Sequence, residues 1–261
     1  MVLYAFFMKF IMTYQTIDVR FQSPVCFLKL LRPTINLVML EECLQVISAF
    51  DDKTYILIIE GSSDCFCLGA DFQSIDSGAI NANDNQLIPE RLYDLLLLLT
   101  KADFVSVALV RGKVNAGGIG LVAACDLVLA DESAQFSLSE LLFDLFPACV
   151  LPFLIRRIGR PKANYMSLIT KPISVQQASD WGLVDAFEAN ADSLLRKHLL
   201  RLRYLSKTGI QRYKQYLHEL DSNIETVKPL AITANRNLFS NPENLQKISR
   251  YVQTGRFPWE D

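Results

Sequence analysis

Three glycines within four residues, Gly117, Gly118 and Gly120, constrain this 261-residue chain more than any other feature. They follow the segment 103–110, whose aliphatic and aromatic side chains predict a buried strand. They precede the apolar segment 121–125, which predicts a buried helix. Because glycine lets the backbone turn tightly and come close to another group, the sequence predicts a strand that turns directly into a helix.

The start of such a helix has a preference for negative charge. Its first backbone N–H groups have no acceptor inside the helix, and the helix dipole adds partial positive charge there. The turn therefore suits an oxygen that is, or becomes, negative, either in a phosphate or in a reaction intermediate. The alternative is that the glycines only allow close packing of helix against strand. The spacing matches neither G-x-G-x-x-G nor a Walker loop, which argues against a nucleotide site.

Composition excludes several classes of protein. Hydrophobic residues make up 51% of the chain, enough for a sizeable core, and a net charge of -2 gives no electrostatic reason to expect nucleic acid. The six cysteines form no C-x-x-C pair and no cluster with histidine, so we expect reduced thiols in a cytoplasmic protein and no metal. No apolar run reaches the roughly 18 residues that span a bilayer, so we expect no membrane association.

The order of the predicted elements indicates an α/β fold. Alternating apolar residues predict a hairpin that turns near Gln22-Ser23-Pro24, then a helix over 36–50 and a buried strand over 55–59. A second glycine turn follows at Gly69-Ala70. Ligands of open α/β folds collect where strand ends meet, so both glycine turns are candidates for one site. The polar segment 77–86 predicts a surface loop before a helix over 87–100.

The first eleven residues are apolar but are not followed by the cleavage site of a signal sequence. We interpret residues 1–11 as a non-native or flexible start, with Met12 as the preferred first residue.

Four segments, in order and with matching spacing, resemble the enoyl-CoA hydratase/isomerase (crotonase) superfamily. Residues 66–72 resemble its F-x-x-G-A-D-[LF] segment, and 112–126 resemble G-x-x-x-G-G-G-x-x-[LV]-x-x-x-C-D with Ala116 in the first glycine's place. Residues 134–140 resemble A-x-F-x-x-x-E, and 173–185 resemble the segment that closes the core. The resemblance implies a crotonase-type ββα spiral core over 12–189 and a C-terminal helical oligomerisation region over 190–261, assembled as a homotrimer or hexamer.

Further segments are similar to a branch of this superfamily found in polyketide synthase clusters: 110–118, 136–143, 147–157 and 255–261. That branch dehydrates a 3-hydroxy-3-methylglutaryl group, tethered to an acyl carrier protein, to the 3-methylglutaconyl group. The similarity implies a carrier protein as partner and no cofactor beyond the phosphopantetheine that carries the substrate. Two alternatives stay open: a hydratase or decarboxylase acting on a free CoA thioester, and a non-catalytic oligomeric scaffold.

The resemblance also implies catalytic roles. The backbone N–H groups of Ala70 and Gly117 would bind the thioester oxygen, and Glu140 would transfer the proton. Apolar neighbours would desolvate Glu140 and favour acid/base work, although an exposed glutamate beginning a helix is the alternative. The second glutamate of the hydratases falls at Gly120, so Glu140 would have to serve as base and then as acid.

Five further residues are predicted to contact the substrate: Asp71, Tyr93, Lys113, Asn115 and Gly118. Tyr93 would direct its hydroxyl at the distal carboxylate, or else lie in the core. Lys113 and Asn115 would hold that carboxylate or the pantetheine amides, or else be solvated or cap a strand. The loop 33–36 is shorter than is usual in the family, so its ligand contacts cannot be carried over.

The C-terminal region is predicted to be helical over 194–220, 221–237 and 242–254. Its first helix carries basic residues that would meet an acidic carrier protein or a phosphate, or simply form a solvated face. These residues are Arg196, Lys197, Arg201, Arg203, Lys207, Arg212 and Lys214.

Overall fold

The computed structural model of the protein describes residues 13–79, 82–220 and 223–260. The predicted non-native start therefore lies outside the described residues. Within this part of the chain, no helix is long and apolar enough to cross a membrane. The same residues contain no group of three or more His, Cys, Asp or Glu side chains placed to hold a metal ion.

A six-stranded sheet forms the centre of the molecule. Its strands, in spatial order, are β1 (Ile17–Gln22), β2 (Val25–Leu30), β3 (Ile56–Glu60), β5 (Val105–Val110), β7 (Leu127–Asp131) and β10 (Ala186–Glu188). The first two strands pair antiparallel around the predicted turn at Ser23-Pro24, and the other neighbours are parallel. The α/β class, the hairpin and the buried strands predicted near 55–59 and 103–110 are confirmed.

A second sheet of four short strands positions the glycine turns. Its strands, in spatial order, are β4 (Cys65–Cys67), β6 (Lys113–Asn115), β8 (Gln135–Ser137) and β9 (Ile173–Ser174). The first three run parallel, and each leads into a predicted site segment: Gly69-Ala70, Ala116-Gly117 and Glu140, respectively. Because parallel neighbours end at the same edge of a sheet, these three segments emerge close together.

The helices of the core region alternate with the strands. They are α1 (Leu37–Ser48), α2 (Phe72–Asp76), α3 (Ala82–Lys101), α4 (Gly117–Ala124), α5 (Leu151–Ile158), α6 (Arg160–Ile169) and α7 (Val175–Asp180), with a 3-10 helix at Glu140–Phe143. The predicted loop 77–86 is partly wrong, because α3 already begins at Ala82. The polar side chains in its first turn concealed the helix, since the periodic apolar residues start only at Leu87.

The C-terminal helices are α8 (Ala191–Leu202), α9 (Lys207–Leu220), α10 (Asn223–Thr226), α11 (Lys228–Ser240) and α12 (Pro242–Thr254). The last agrees with the prediction for 242–254. The prediction of a single helix over 194–220 is wrong, because the helix is interrupted between Leu202 and Lys207. The helix predicted over 221–237 is likewise replaced by α10 and α11. The oligomerisation role of the region stays a prediction.

The six-stranded sheet is buried on both faces. Along β3, Leu57 and Ile59 join the larger core, whereas Ile56 and Ile58 face the opposite side, as the two-residue period of a strand requires. Leu194, Leu195 and Leu199 of α8 cover that opposite side. The predicted C-terminal region thus completes the core of the sheet.

The basic residues of α8 and α9 do not form one solvated face. Lys214 is 3% exposed, and its Nζ donates to the carbonyls of Leu99 (2.9 Å) and Phe104 (3.0 Å) and to Oδ2 of Asp126 (2.8 Å). Lys197 and Lys207 pair with acidic residues of this chain. The predicted basic cluster is therefore reduced to four exposed arginines, Arg196, Arg201, Arg203 and Arg212.

We expect Lys214→Ala to destabilise the protein by about 3–5 kcal/mol, because it removes the charge that pairs with the half-buried Asp126 carboxylate and leaves that carboxylate only its bonds from Ser106. Denaturant unfolding of the variant measures this loss. Arg212→Ala, on an exposed position of the same helix, is the matched control and should stay within about 0.5 kcal/mol of the parent. Equal unfolding free energies for the two variants would contradict a structural role for the Lys214 ammonium group.

Candidate active site

One large cleft opens at the edge of the second sheet where the three site segments emerge. Its volume is about 1060 Å³, and Ala70, Ala116, Gly117 and Glu140 all line it. Residues 32–35, which include most of the shortened loop 33–36, and helix α12 contribute further parts of the wall. The structure thus brings together all three residues predicted to be catalytic.

The two glycine turns touch each other. A Cβ built on Gly69 would lie 2.6 Å from the Cβ of Ala116 and 2.8 Å from the backbone N of Gly117. The φ of Gly69 is +86°, a conformation that only glycine adopts readily. Glycine at this position therefore permits both the backbone turn and the close approach of the two segments.

Each turn carries a backbone N–H group at a residue that lines the cleft. Gly117 is the first residue of α4, so its N–H has no acceptor within the helix. Ala70 forms an isolated parallel bridge with Ile35, and the Ile35 N–H donates to the Gly69 carbonyl at 2.7 Å. This bond fixes the peptide that carries the Ala70 N–H. Two main-chain donors from separate turns thus belong to one site.

Ala116 adopts a strained backbone, with φ 49° and ψ -120°. Residues other than glycine rarely adopt a positive φ, and such strain costs about 1–3 kcal/mol. Ala116 is the residue that stands where the resembling family has glycine. Its N–H donates to the Ser137 carbonyl at 3.2 Å, which helps to hold the turn in this conformation.

Glu140 is a desolvated carboxylic acid at the cleft. Its Oε2 atom is buried and has no hydrogen-bond partner among the described residues. Burial raises the pKa of Glu140 to about 7, although hydrogen bonds from the N–H groups of Glu140 and Ser139 act in the opposite direction. A carboxyl with a pKa near neutrality is suited to accept and return a proton. The alternative of a solvent-exposed glutamate is not what the structure shows.

The raised pKa of Glu140 predicts a pH-dependent stability. The folded state keeps a proton that the unfolded state, with a pKa near 4.5, releases. Between about pH 4.5 and 7 the free energy of unfolding should therefore fall as pH rises, by roughly 3 kcal/mol in total from this group. Denaturant unfolding of the parent and of Glu140→Gln across this range measures the difference, which should vanish in acid. Parallel pH dependences in the two proteins would contradict the assignment.

Three of the predicted substrate contacts line the cleft: Asp71, Lys113 and Asn115. The carboxylate of Asp71 caps α2, accepting from the N–H of Ser74 at 3.1 Å and from its hydroxyl at 2.9 Å. Lys113 is exposed. The side-chain amide of Asn115 bonds to two serines.

Two predicted contacts are corrected by the structure. Tyr93 is completely buried, and its hydroxyl donates to the Ile224 carbonyl while its ring packs on Phe153. Gly118 does not line the cleft, because a Cβ there would lie 2.3 Å from the Cys67 carbonyl oxygen. Tyr93 therefore anchors α10, and Gly118 serves the packing of α4 on β4.

The position of the missing second glutamate is buried in apolar surroundings. A Cβ on Gly120 would lie 3.0 Å from Leu96 and 3.1 Å from Val150. Gly120 contributes no acidic group, and Asp71 already caps a helix. Two carboxylates line the cleft within the described residues, Asp71 and Glu140. Of these, Glu140 is the one that does not cap a helix with its side chain.

Sequence reasoning missed an aromatic wall on one side of the cleft. Phe143 lies three residues after Glu140. Its ring packs edge-on against the rings of Phe72 and Tyr251, with a distance of 5.2 Å between ring centroids in each case. Phe257 packs against Tyr251 at 5.0 Å and stacks on Trp259 at 4.8 Å. The wall thus ties the C-terminal tail to the segments that follow Ala70 and Glu140. The aromatic residues in 255–261 were the signal that could have indicated it.

These features define a class of site. Two turns that carry main-chain N–H donors touch each other and line the same cleft as one desolvated acid, and the cleft volume of about 1060 Å³ leaves room for an acyl chain and its carrier arm. Donors placed in this way stabilise a carbonyl oxygen on which negative charge develops, and the acid can remove the adjacent proton.

Comparison with known proteins agrees with this description. The family model for enoyl-CoA hydratase/isomerase matches residues 20–261. The chain is 55% identical over 256 residues to the bacillaene synthase dehydratase PksH of Bacillus subtilis (strain 168), an alignment that covers 96% of this chain and 99% of the relative. It is 31% identical to the mevalonyl-coenzyme A hydratase sidH of Aspergillus fumigatus, over 66% of each chain.

Solved structures show the same fold. The polyketide biosynthesis enoyl-CoA hydratase pksH from Bacillus subtilis matches with a TM-score of 0.89 and 52% identity, over 94% of this chain and 100% of that one. An enoyl-CoA hydratase/isomerase from Xanthobacter autotrophicus Py2 matches with a TM-score of 0.82 over 93% of this chain and 95% of that one, at 20% identity. The chain belongs to the enoyl-CoA hydratase/isomerase family and has the crotonase fold. It is an enzyme of the hydro-lyase class.

Proposed function

We propose that the protein dehydrates 3-hydroxy-3-methylglutaryl-acyl carrier protein to 3-methylglutaconyl-acyl carrier protein in polyketide β-branching. The observation that carries the proposal is the unpaired, buried Oε2 of Glu140 in the same cleft as the two touching glycine turns. The 55% identity to a protein named as the dehydratase of bacillaene synthase supports the reaction type and the pathway.

The reaction follows from the roles of three groups. The N–H groups of Ala70 and Gly117 bind the thioester oxygen, and the Glu140 carboxylate takes a proton from the carbon next to the carbonyl. The electrons of that C–H bond move onto the oxygen, forming an enolate. When the enolate collapses, a carbon–carbon double bond forms and the bond to the β-hydroxyl breaks. Glu140 returns its proton to this hydroxyl, which leaves as water.

One carboxyl is enough for this sequence if the proton and the hydroxyl leave from the same side of the substrate. The pKa of Glu140, raised to about 7, allows both steps, because the group is neither a strong acid nor a permanently protonated one. No second carboxylate is present at Gly120. The proposal therefore predicts a syn elimination.

The charge at the cleft suits a phosphopantetheine arm, on a carrier protein or on CoA. Arg32 and Lys113 both line it and place positive charge there, which suits the phosphate of a pantetheine arm. A free CoA thioester carries the same phosphopantetheine arm, so a hydratase acting on CoA substrates is the competing function. The exposed arginines Arg196, Arg201, Arg203 and Arg212 are the charges left for contact with an acidic carrier protein. The homotrimer or hexamer and the cytoplasmic location stay predictions.

Turnover of matched substrates tests the proposal. The same 3-hydroxy-3-methylglutaryl group is supplied on an acyl carrier protein and on CoA, and kcat/KM is compared. A higher value for the carrier-bound group supports the proposal, because only the carrier adds protein surface. Equal or higher kcat/KM on CoA would favour the competing function.

A further inference from the structure

A hydrogen-bonded bridge joins the two halves of the candidate site. The Nδ2 of Asn115 donates to the Ser139 hydroxyl at 2.8 Å, and the Ser137 hydroxyl donates to Oδ1 of Asn115 at 2.9 Å. Asn115 directly precedes the Ala116-Gly117 turn, and Ser139 directly precedes Glu140. The Asn115 side chain thus links the Ala116-Gly117 turn to the segment that carries Glu140.

We propose that Asn115 is a positioning residue that sets the separation between the Gly117 N–H and the Glu140 carboxyl. The inference rests on the proposed function, in which these two groups act on the same thioester. It replaces the expectation that the Asn115 amide binds the substrate directly. Both ends of the amide are already engaged by the serines of this chain.

The bridge acts just beyond the end of the backbone pairing between β6 and β8. Between β8 and the 3-10 helix, Ser139 has φ -104° and ψ 2°, outside regular structure. Ser139 is the residue directly before Glu140, so a shift of Ser139 moves the backbone that carries the acid. On the other side, Ala116 is held in a strained conformation with the help of the Ser137 carbonyl. Asn115 therefore extends the coupling of the two segments by a side-chain link, two residues beyond the last β8 residue that pairs with β6, Ser137.

Loss of the bridge should affect the chemical step more than binding. We expect Asn115→Ala to lower kcat about 10²-fold, since a misplacement of about 1 Å has this effect in enzymes, and to change KM little. If the segment that carries Ser139 and Glu140 relaxes, water should reach Glu140 Oε2 and lower the pKa of this carboxyl. The pH at the midpoint of the kcat–pH profile should therefore fall. The other titratable groups lining the cleft in the described residues are Arg32, Asp71, Lys113, Cys149 and Tyr251.

A double-mutant cycle tests the coupling. Ser139→Ala removes the other end of the bridge and should lower kcat by a similar factor, whereas the double variant should be no worse than either single variant. Ser48→Ala, which removes a serine hydroxyl at an exposed position outside the cleft, is the control and should retain the activity. The inference would be overturned if the kcat loss of the double variant equalled the product of the two single losses. A raised KM with kcat unchanged would overturn it as well.

A second readout does not depend on turnover. Carbon NMR of the Glu140 carboxyl, assigned by its loss in Glu140→Gln, gives its titration midpoint in the substrate-free protein. The midpoint should fall in Asn115→Ala and Ser139→Ala and stay unchanged in Ser48→Ala. An unchanged midpoint in both bridge variants would overturn the positioning role. A parent enzyme that fails to dehydrate the substrate, but shows these shifts, would instead count against the proposed function.

Discussion

Glu140→Gln is expected to lower kcat for dehydration by roughly 10²–10⁴-fold, the range that general acid–base groups contribute. Glutamine has nearly the same size and keeps an oxygen that can accept the local N–H bonds, but it cannot take the α-proton. The KM should change little, since the oxyanion donors and the cleft wall are untouched. Single-turnover kinetics with carrier-bound substrate measures the loss.

The matched control for this change is Glu132→Gln, which makes the same substitution at an exposed position outside the cleft. It should leave kcat unchanged. In the parent, kcat should rise with pH through about 7, because the base must be deprotonated and its pKa lies near that value. Full activity of Glu140→Gln would show that another group removes the proton.

Gly69→Ala is expected to disable the site by separating the two turns. The new Cβ would lie 2.6 Å from the Cβ of Ala116 and 2.8 Å from the N of Gly117, so one segment has to move. Loss of one oxyanion donor typically costs about 10²–10³-fold in kcat, and we expect a loss of that order. The positive φ of Gly69 adds a stability cost of about 1–3 kcal/mol.

Gly78→Ala separates these two effects. Gly78 also has a positive φ, +66°, but nothing lies within 4 Å of a Cβ built there. This variant should show only the stability cost of the positive φ, about 1–3 kcal/mol, in thermal unfolding and keep its activity. A kcat for Gly69→Ala equal to that of Gly78→Ala would mean that contact between the turns is not needed for catalysis.

The sequence predicted the parts of the site that depend on the backbone. Glycines at strand ends mark turns whatever surrounds them, so the positions of Gly69-Ala70 and Ala116-Gly117 followed from the order of the elements. Their contact did not follow from the pattern alone, because it requires β4 and β6 to be neighbours in a second sheet of three-residue strands. Strands that short carry too little periodicity to be predicted with their partners.

Side-chain roles were harder to predict because they depend on residues distant in sequence. Tyr93 was placed in the site, yet its hydroxyl meets the Ile224 carbonyl, 131 residues later. Lys214 was counted in a basic cluster that would meet a carrier protein or a phosphate, or else be solvated, although it is buried and pairs with Asp126, 88 residues earlier. Glu140 was identified through the family resemblance, and the structure adds the reason that its environment suits the role.

The mass of the acyl group on the carrier protein, measured after incubation with the enzyme, tests the central claim most directly. The account predicts the loss of one water with the parent enzyme and an unchanged substrate with Glu140→Gln. Loss of carbon dioxide, or loss of water that proceeds equally well in Glu140→Gln, would contradict it.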